Sequence, residues 1–402
     1  MITNIKIKNF RSISEAEAVF SIFNVMIGSN GAGKTTLISA IDLTRRLATG
    51  LDVNRATEYI APMKRELFNF VNRSKQSEIE ITLRTNSTTK YKFAYTVGEK
   101  HSENDYGLTV VEESLCRLDE NGKDTIIYHR RLNNVRAINP KSKTGNLEDI
   151  PLTFDEDKLV LSSYSDVEVK EVALSLSSSK VLWLDNQGLF KPGLSIVSTA
   201  DSEQHIEHSV IKLRETDIEL YREAISVIRK IIPEFVEPEI LDITKNFQKD
   251  NDSTSEDSKK PNKIKSYIVF WQESTFPQSF TRQSLSSGNR KIIELVFALY
   301  NCKNYSFLIG EEIENGLHFG RLENVIEVLK YLSKKLKVQL LFTTHSPHVL
   351  NFVSPGEVVY CRKDNSGSVY TTLKDTDEYK KIKDELSSEP TGKELFESGF
   401  FD

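Results

Sequence analysis

The sequence predicts an α/β fold in which a mixed-sheet core carries an antiparallel β subdomain and an inserted helical subdomain. Three observations lead there. Apolar, strand-like runs alternate with amphipathic stretches at both ends of the chain, the pattern of a parallel sheet with crossover helices. Residues 78–97 instead alternate with period two, and a further run turns at Asn121-Gly122, as antiparallel hairpins do. Between Asp201 and Ile232 the apolar positions Ile206, Val210, Leu213, Ile218, Tyr221, Ile225 and Ile228 take up helical spacing, which stops at Pro233. A chain of 402 residues exceeds one ordinary compact domain. The expected division is 1–130 for the first half of the core, 131–263 for the inserted, largely helical part, and 264–402 for the second half.

In chain order, Ile2, Ile5 and Ile7 with lysines between them predict an edge strand, and a second strand follows Phe10-Arg11-Ser12 and ends in FNVMIG. A glycine-rich loop and the helical LISAIDL come next. IEITLR and YKFAYTV then read as paired strands, and SLCRL with TIIYHRRL as a hairpin. The helical stretch up to Ile232 is too short for a long coiled-coil arm. Residues 248–263, polar and without an aromatic, predict a mobile loop. YIVFW returns to strand, SLSSGNRK opens a helix, and FLIG and VQLLFTT are short buried strands separated by another helix. There is no internal repeat.

Composition narrows the class. A net charge of -5 with both signs interspersed does not announce a nucleic-acid binder. The three cysteines, Cys116, Cys302 and Cys361, form no C-x-x-C pair, which argues against a disulfide framework or a zinc site and fits a reducing cytoplasm. No apolar run approaches the roughly 20 residues needed to span a bilayer, and the start is not a signal-peptide core.

Four motifs carry chemistry. Gly28-Ser29-Asn30-Gly31-Ala32-Gly33-Lys34-Thr35-Thr36 holds G-x-x-x-x-G-K-[ST] between an apolar strand and a helix. In that setting backbone N–H groups and the helix dipole wrap phosphates, Lys34 reaches the β- and γ-phosphates, and Thr35 ligates Mg²⁺. Glu311 and Glu312 follow FLIG at the strand end where open α/β sheets place ligands. Two adjacent carboxylates suit two tasks, with Glu311 assigned to the metal and Glu312 to polarising the attacking water.

Ser286, Ser287 and Gly288 precede the amphipathic KIIELVFALY and form an anion-binding helix start. One chain already fills its phosphates with the first loop. The second cradle therefore makes most sense against the γ-phosphate held by another copy, a plain serine cap being the alternative. His345, at the end of VQLLFTT, is placed to hydrogen-bond a γ-phosphate oxygen or the attacking water.

The order of these motifs resembles the ABC-type ATPase superfamily that includes SMC proteins and RecF. More narrowly, NFRSI at 9–13, GSNGAGKTTL, LSSGNRK, IGEEIENGLHF, TTHSPHVL and the late ELFESGFF resemble the AAA ATPases of the overcoming-lysogenisation-defect and abortive-infection group, prokaryotic proteins frequently found in phage-defence systems. The resemblance implies an ABC-type head with ATP and Mg²⁺, with Arg11 near the nucleotide and Glu314 to His318 crossing a dimer interface. The sequence departs from the family where Ile313 and Phe319 replace prolines and Gly310 precedes the acids. Gln76 is a candidate for the family's glutamine loop or an ordinary surface residue. Several members of the group add a TOPRIM nuclease; Asp364, Asp375 and Asp377 do not supply one, so a nuclease or toxin is expected in a separate polypeptide.

Two functions compete on this reading. One is a cytoplasmic ATPase that closes as a homodimer or higher oligomer and controls a separately encoded effector in antiphage defence. The other is a RecF- or SMC-like repair ATPase clamping DNA, with Arg130, Arg131, Arg136, Lys141 and Lys143 either on DNA phosphates or on a solvated loop. No membrane partner is expected.

Overall fold

A computed structural model describes residues 1–69, 75–85, 89–102, 105–132, 134–138, 147–149, 154–182, 196–198, 206–244, 265–365, 367–386 and 388–400. The chain divides into two compact units. The first is built from Met1–Leu182, Lys303–Ile313 and Ser333–Asp402, and the second from Trp183–Cys302 and Glu314–Leu332.

The first unit holds two sheets. One is antiparallel, in the order β2-β1-β4-β5-β6-β7-β8-β9. Its strands are β1 (Ile2–Phe10), β2 (Ile13–Val19), β4 (Gln76–Arg84), β5 (Lys90–Ser102), β6 (Asp105–Leu118), β7 (Asp124–Arg131), β8 (Asn134–Ile138) and β9 (Leu147–Asp149). Strict alternation along β4, with Ser77, Ile79, Ile81 and Leu83 buried, puts one face on the core and one toward water. The other sheet runs β10-β14-β15-β3-β16-β17. It contains β3 (Phe23–Ile27), β10 (Lys180–Leu182), β14 (Phe307–Gly310), β15 (Gln339–Thr344), β16 (Val358–Asp364) and β17 (Gly367–Thr372), parallel except for the last. Every residue of β3, β14 and β15 is buried, as parallel strands covered on both faces require. Helix α1 (Lys34–Ala48) buries Leu37, Ile38, Ile41, Leu43 and Leu47 in a core that also takes Ile5, Ile7, Ile79, Ile81 and Phe93 from the antiparallel sheet and Ile309 and Leu341 from the parallel one. Each such side chain contributes about 1.5–3 kcal/mol.

A buried charge pair ties the antiparallel sheet to the segment after it. Glu113 on β6 and Arg130 on β7 are both fully buried. Glu113 accepts from the amides of Val160 and Leu161 and from the Tyr128 hydroxyl. Arg130 donates to the carbonyls of Leu132, Asp155 and Lys158, and its guanidinium lies 4.0 Å from the Glu113 carboxylate. With every polar atom matched to neighbouring backbone, this Arg130 cannot reach a nucleic acid. Arg131 and Arg136 are exposed, and Arg136 pairs with Asp149 at 3.3 Å. Lys141 and Lys143 lie outside the described residues.

In the second unit, β13 (Ser266–Glu273) is flanked by β11 (Ile196–Ser198) and β12 (Phe235–Asp242). Helices α4 (Ile206–Thr216) and α5 (Ile218–Ile231) pack on α6 (Ser287–Tyr300), with Tyr221 against Phe297 at a ring separation of 6.0 Å. Helix α7 (Phe319–Leu336) follows.

Four expectations change. Strand β1 is not an edge, because it pairs with β2 on one side and β4 on the other. The strand expected to end in FNVMIG is two strands in two sheets, β2 and β3. The helical stretch ending at Ile232 is broken at Asp217, whose φ of -154° leaves the helix while its carboxylate caps Leu220 N–H at 3.0 Å. Finally, the chain does not leave the core at residue 130. Pairing of β7 with β8 and of β8 with β9 continues the sheet, and α3 (Val167–Ser177) and β10 also belong to the first unit. The loop expected at 248–263 lies outside the described residues. Among the described residues no helix is long and apolar enough to cross a membrane.

Candidate nucleotide site

Three adjacent parallel strands, β14, β15 and β3, end at nearly the same level. Gly310 pairs with Phe342, and Thr344 pairs with Ile27. The residues that follow are Glu311 and Glu312, His345, and Gly28 onward. One sheet edge therefore brings together the two acids, the histidine and the glycine-rich loop, far apart in sequence.

The loop is shaped for anions. Gly31 and Gly33 have φ of 75° and 114°, values that L side chains resist. The helix ladder begins with Leu37 N–H donating to the Gly33 carbonyl at 3.1 Å, so the earlier first-turn amides point out of the helix start. Helix α1 has no acid in its first turn, so no side-chain carboxylate competes with an anion at its N-terminus. The Lys34 ammonium, almost buried, donates to the carbonyls of Gly28 at 2.6 Å and Ser29 at 3.0 Å. Ser29, Asn30, Gly31 and Thr35 are exposed, while Ala32, Gly33 and Thr36 are buried. These are the features a triphosphate requires: convergent amides, a cation and an exposed hydroxyl beside them.

At the neighbouring strand end, Glu312 has φ of 44°, a left-handed conformation costing a non-glycine residue on the order of 1–3 kcal/mol. Thr343 holds it there: its hydroxyl accepts from Glu312 N–H at 2.9 Å and its carbonyl accepts from Ile313 N–H at 3.1 Å. The Glu312 carboxylate lies 3.9 Å from His345 Nε2, both side chains being about 39% exposed, so the two are neighbours at the site beyond direct hydrogen-bond range. Glu311 is partly buried. Among the described residues no group of three or more His, Cys, Asp or Glu is arranged to hold a metal by itself. Mg²⁺ is commonly held by one or two carboxylates plus substrate phosphates, so the absence of a three-ligand cluster is compatible with such a site.

Other positions sort differently. Arg11 sits at φ 51° and its guanidinium donates to the Ile60 carbonyl at 2.5 Å. The next residue, Ser12, is the one that reaches α1, with its hydroxyl 3.0 Å from that of Thr36. Gln76 is the exposed first residue of β4, paired with Gly98. The motifs NFRSI and TTHSPHVL contain Ser12 and Thr343 without revealing their bracing roles, and no motif marks the β16–β17 residues described below. A hydroxyl that braces a loop from another strand leaves no spacing signal.

Ser286, Ser287 and Gly288 open α6 in the second unit. The Ser286 hydroxyl caps the helix by accepting from Asn289 N–H at 3.1 Å. Gly288 lies so close to Gly316 that a Cβ at position 288 would sit 2.3 Å from the Gly316 carbonyl oxygen. Lys291 donates to the Asn315 carbonyl at 3.2 Å, and Arg321 donates to the Asn289 side-chain oxygen at 3.0 Å. The helix start and the Glu314 to His318 loop are thus locked to one another within this unit.

The profile of one protein family, described as "AAA domain, putative AbiEii toxin, Type IV TA system", matches residues 23–351. The chain belongs to this family. The matched span of the AAA domain contains the glycine-rich loop, the helix start at Ser286, both acids and His345, and ends before β16.

Among solved structures, an SMC head bound to the C-winged helix domain of ScpA is similar, with a TM-score of 0.51 and 12% identity, covering 92% of this chain and 97% of that one. An SMC head domain from Thermotoga maritima gives 0.44 and 12%, covering 92% and 98%. An Smc head with an extended coiled coil, bound to a ScpA domain derived from Pyrococcus furiosus, gives 0.46 and 11%, covering 96% and 99%. At such identity the first likeness establishes a shared fold, that of an SMC head. A search of curated proteins found no match.

Proposed function

We propose that this AAA-domain protein binds and hydrolyses ATP with Mg²⁺, pairs with a second copy of itself around the nucleotide, and acts as the sensor and regulator of a separately encoded effector in prokaryotic antiphage defence. One observation carries the ATPase reading: β14, β15 and β3 end side by side, so Glu311, Glu312, His345 and the loop from Gly28 to Thr36 line one edge. On this reading loop amides and Lys34 bind the triphosphate. When bound, Mg²⁺ held by Thr35 and Glu311 supplies charge neutralisation on the transferred phosphoryl oxygens. Glu312 takes a proton from the attacking water, and His345, close to Glu312, orients that water or a γ-phosphate oxygen.

Pairing is inferred from the second anion-binding helix start. Ser286 to Gly288 lie in a different compact unit from the phosphate loop, on a rigidly capped helix. A γ-phosphate presented by another copy is a ligand of the right charge for it, and binding both surfaces of one triphosphate shifts the population toward the closed dimer. The regulatory role is suggested by the abortive-infection and toxin–antitoxin association of the family. The alternative of a DNA-clamping repair ATPase loses one of its supports, since Arg130 is buried.

The test compares wild type with Glu312→Gln, Lys34→Ala and Ser287→Arg by ATP turnover and by light scattering. Glu312→Gln should lose turnover by about 10²- to 10⁴-fold, the size of a general-base contribution, and accumulate ATP-bound dimers. Lys34→Ala should lose nucleotide binding, and Ser287→Arg should bind ATP without pairing. Glu312→Gln turning over at the wild-type rate ends the catalytic assignment. Glu312→Gln remaining monomeric with ATP bound, natural companions included, ends the dimer reading.

A further inference from the structure

Hairpin β16–β17 lies beyond the family match and carries none of the four motifs, yet it forms the back wall of the phosphate loop. Tyr370 on β17 donates its hydroxyl hydrogen to the Gly33 carbonyl at 2.8 Å. Cys361 on β16 donates its S–H to the Ala32 carbonyl at 3.2 Å. Ser368 Oγ lies 3.0 Å from Ser12 Oγ, which in turn touches Thr36. The approach is tight on every side. A Cβ on Gly28 would sit 2.0 Å from the Cys361 carbonyl oxygen, and one on Gly33 would sit 2.2 Å from Ser368 Oγ.

Peptide geometry turns these contacts into a statement about phosphate binding. In a trans peptide the C=O and N–H point in opposite directions. Fixing the Ala32 carbonyl on Cys361 therefore aims the Gly33 N–H away from the hairpin, and fixing the Gly33 carbonyl on Tyr370 aims the Lys34 N–H the same way. A loop that offers its amides to an anion must turn its carbonyls backward, where buried oxygens need donors. The hairpin supplies one donor to each of two consecutive carbonyls, that of Gly33 also accepting the first helical bond from Leu37 N–H. Both donors keep their protons at neutral pH. Burial pushes the Cys361 thiol up to about 12, and burial holds the Tyr370 phenol well above its ordinary value.

We infer that Tyr370 and Cys361 are positioning residues for nucleotide binding, acting through the peptide planes of Ala32-Gly33 and Gly33-Lys34. The inference rests on the ATP-binding reading above and adds the C-terminal hairpin to that site. It gives the hairpin a role in affinity while leaving the chemistry to the other residues.

The test measures MgATP and MgADP dissociation constants and melting temperatures, with and without nucleotide, for the full chain. Tyr370→Phe removes one hydroxyl and keeps the ring, so both nucleotides should bind roughly 3- to 10-fold more weakly, the worth of one hydrogen bond. Its nucleotide-free melting temperature should stay near wild type while the nucleotide-induced rise shrinks. Cys361→Ala should behave likewise, and Cys361→Ser, which restores a donor, should recover the affinity. Tyr360→Phe on the same hairpin, whose hydroxyl donates to the Phe400 carbonyl, should bind as wild type does. If Tyr370→Phe and Cys361→Ala bind nucleotide as tightly as wild type while Lys34→Ala does not bind, the positioning role is wrong and the ATP-binding reading stands. If Tyr370→Phe lowers the nucleotide-free melting temperature and leaves affinity intact, the bond is merely structural and the inference also fails. Wild type failing to bind ATP removes both.

Discussion

Replacing Gly288 with alanine probes the lock between the Ser286 helix start and the Glu314 to His318 loop. The added Cβ would meet the Gly316 carbonyl oxygen at 2.3 Å. An ordinary approach of carbon to carbonyl oxygen is about 3.3 Å, so the two backbones must part by roughly 1 Å. Neither partner is a side chain that swings aside. Gly316 itself is held at φ 75°, and its neighbour Asn315 is gripped by Lys291. Overpacking of this kind costs about 1–3 kcal/mol. If that cost falls on the conformation that pairs, the dimer weakens by about 5- to 150-fold. Sedimentation of Glu312→Gln and of Gly288→Ala/Glu312→Gln with MgATP would measure it. ATP affinity of the single chain, set in the other compact unit, should not change. An unaltered dimer constant, or ATP affinity falling in step with it, would refute the reasoning.

Arg130→Met strands the Glu113 carboxylate in the core, and breaking a buried pair in this way should cost about 3–5 kcal/mol, read as a lower urea midpoint with an unchanged slope. Maleimide labelling of the native protein at neutral pH should mark half-buried Cys302 first, with Cys116 and Cys361 reacting only after denaturation, as mass spectrometry would reveal. Because the folded Cys361 thiol is raised from an ordinary value of 9.0 to about 12, its protonated form favours the fold below pH 9, and that contribution fades as pH climbs toward 12. Melting of Cys361→Ser between pH 9 and 11 should therefore fall less steeply than that of wild type. Asp217→Ala removes the cap that starts α5 and should lower stability by about 0.5–2 kcal/mol in thermal unfolding.

Much of the site was legible because its chemistry is local. The phosphate loop needs its glycines and lysine in one short run, and the paired acids and His345 each announce themselves by following an apolar strand. The short buried strands FLIG and VQLLFTT and the Asn121-Gly122 hairpin were likewise readable, since period and turn chemistry are properties of neighbours. Pairing between distant segments was not. Nothing in Ile2, Ile5 and Ile7 says that β4, over 70 positions later, covers the second side of β1. Asp217 looked like one more polar residue in a helical stretch, yet its capping carboxylate divides that stretch in two. Residues 131–182 lacked strong alternation, and their membership of the first unit depends on β8 pairing back onto β7 and on Arg130 reaching Asp155 and Lys158. Ser12, Cys361, Ser368 and Tyr370 were invisible for the same reason: each matters through a neighbour hundreds of positions away or on another strand.

Strand β3, which launches the phosphate loop, has β15 on one flank and β16 on the other, and the loop's carbonyls rest on Cys361 and Tyr370. A nascent chain that has just emerged with its glycine-rich segment thus owns the motif and lacks the wall that shapes it. The glycine-rich segment therefore owes part of its surroundings to a side chain 337 positions further along the chain.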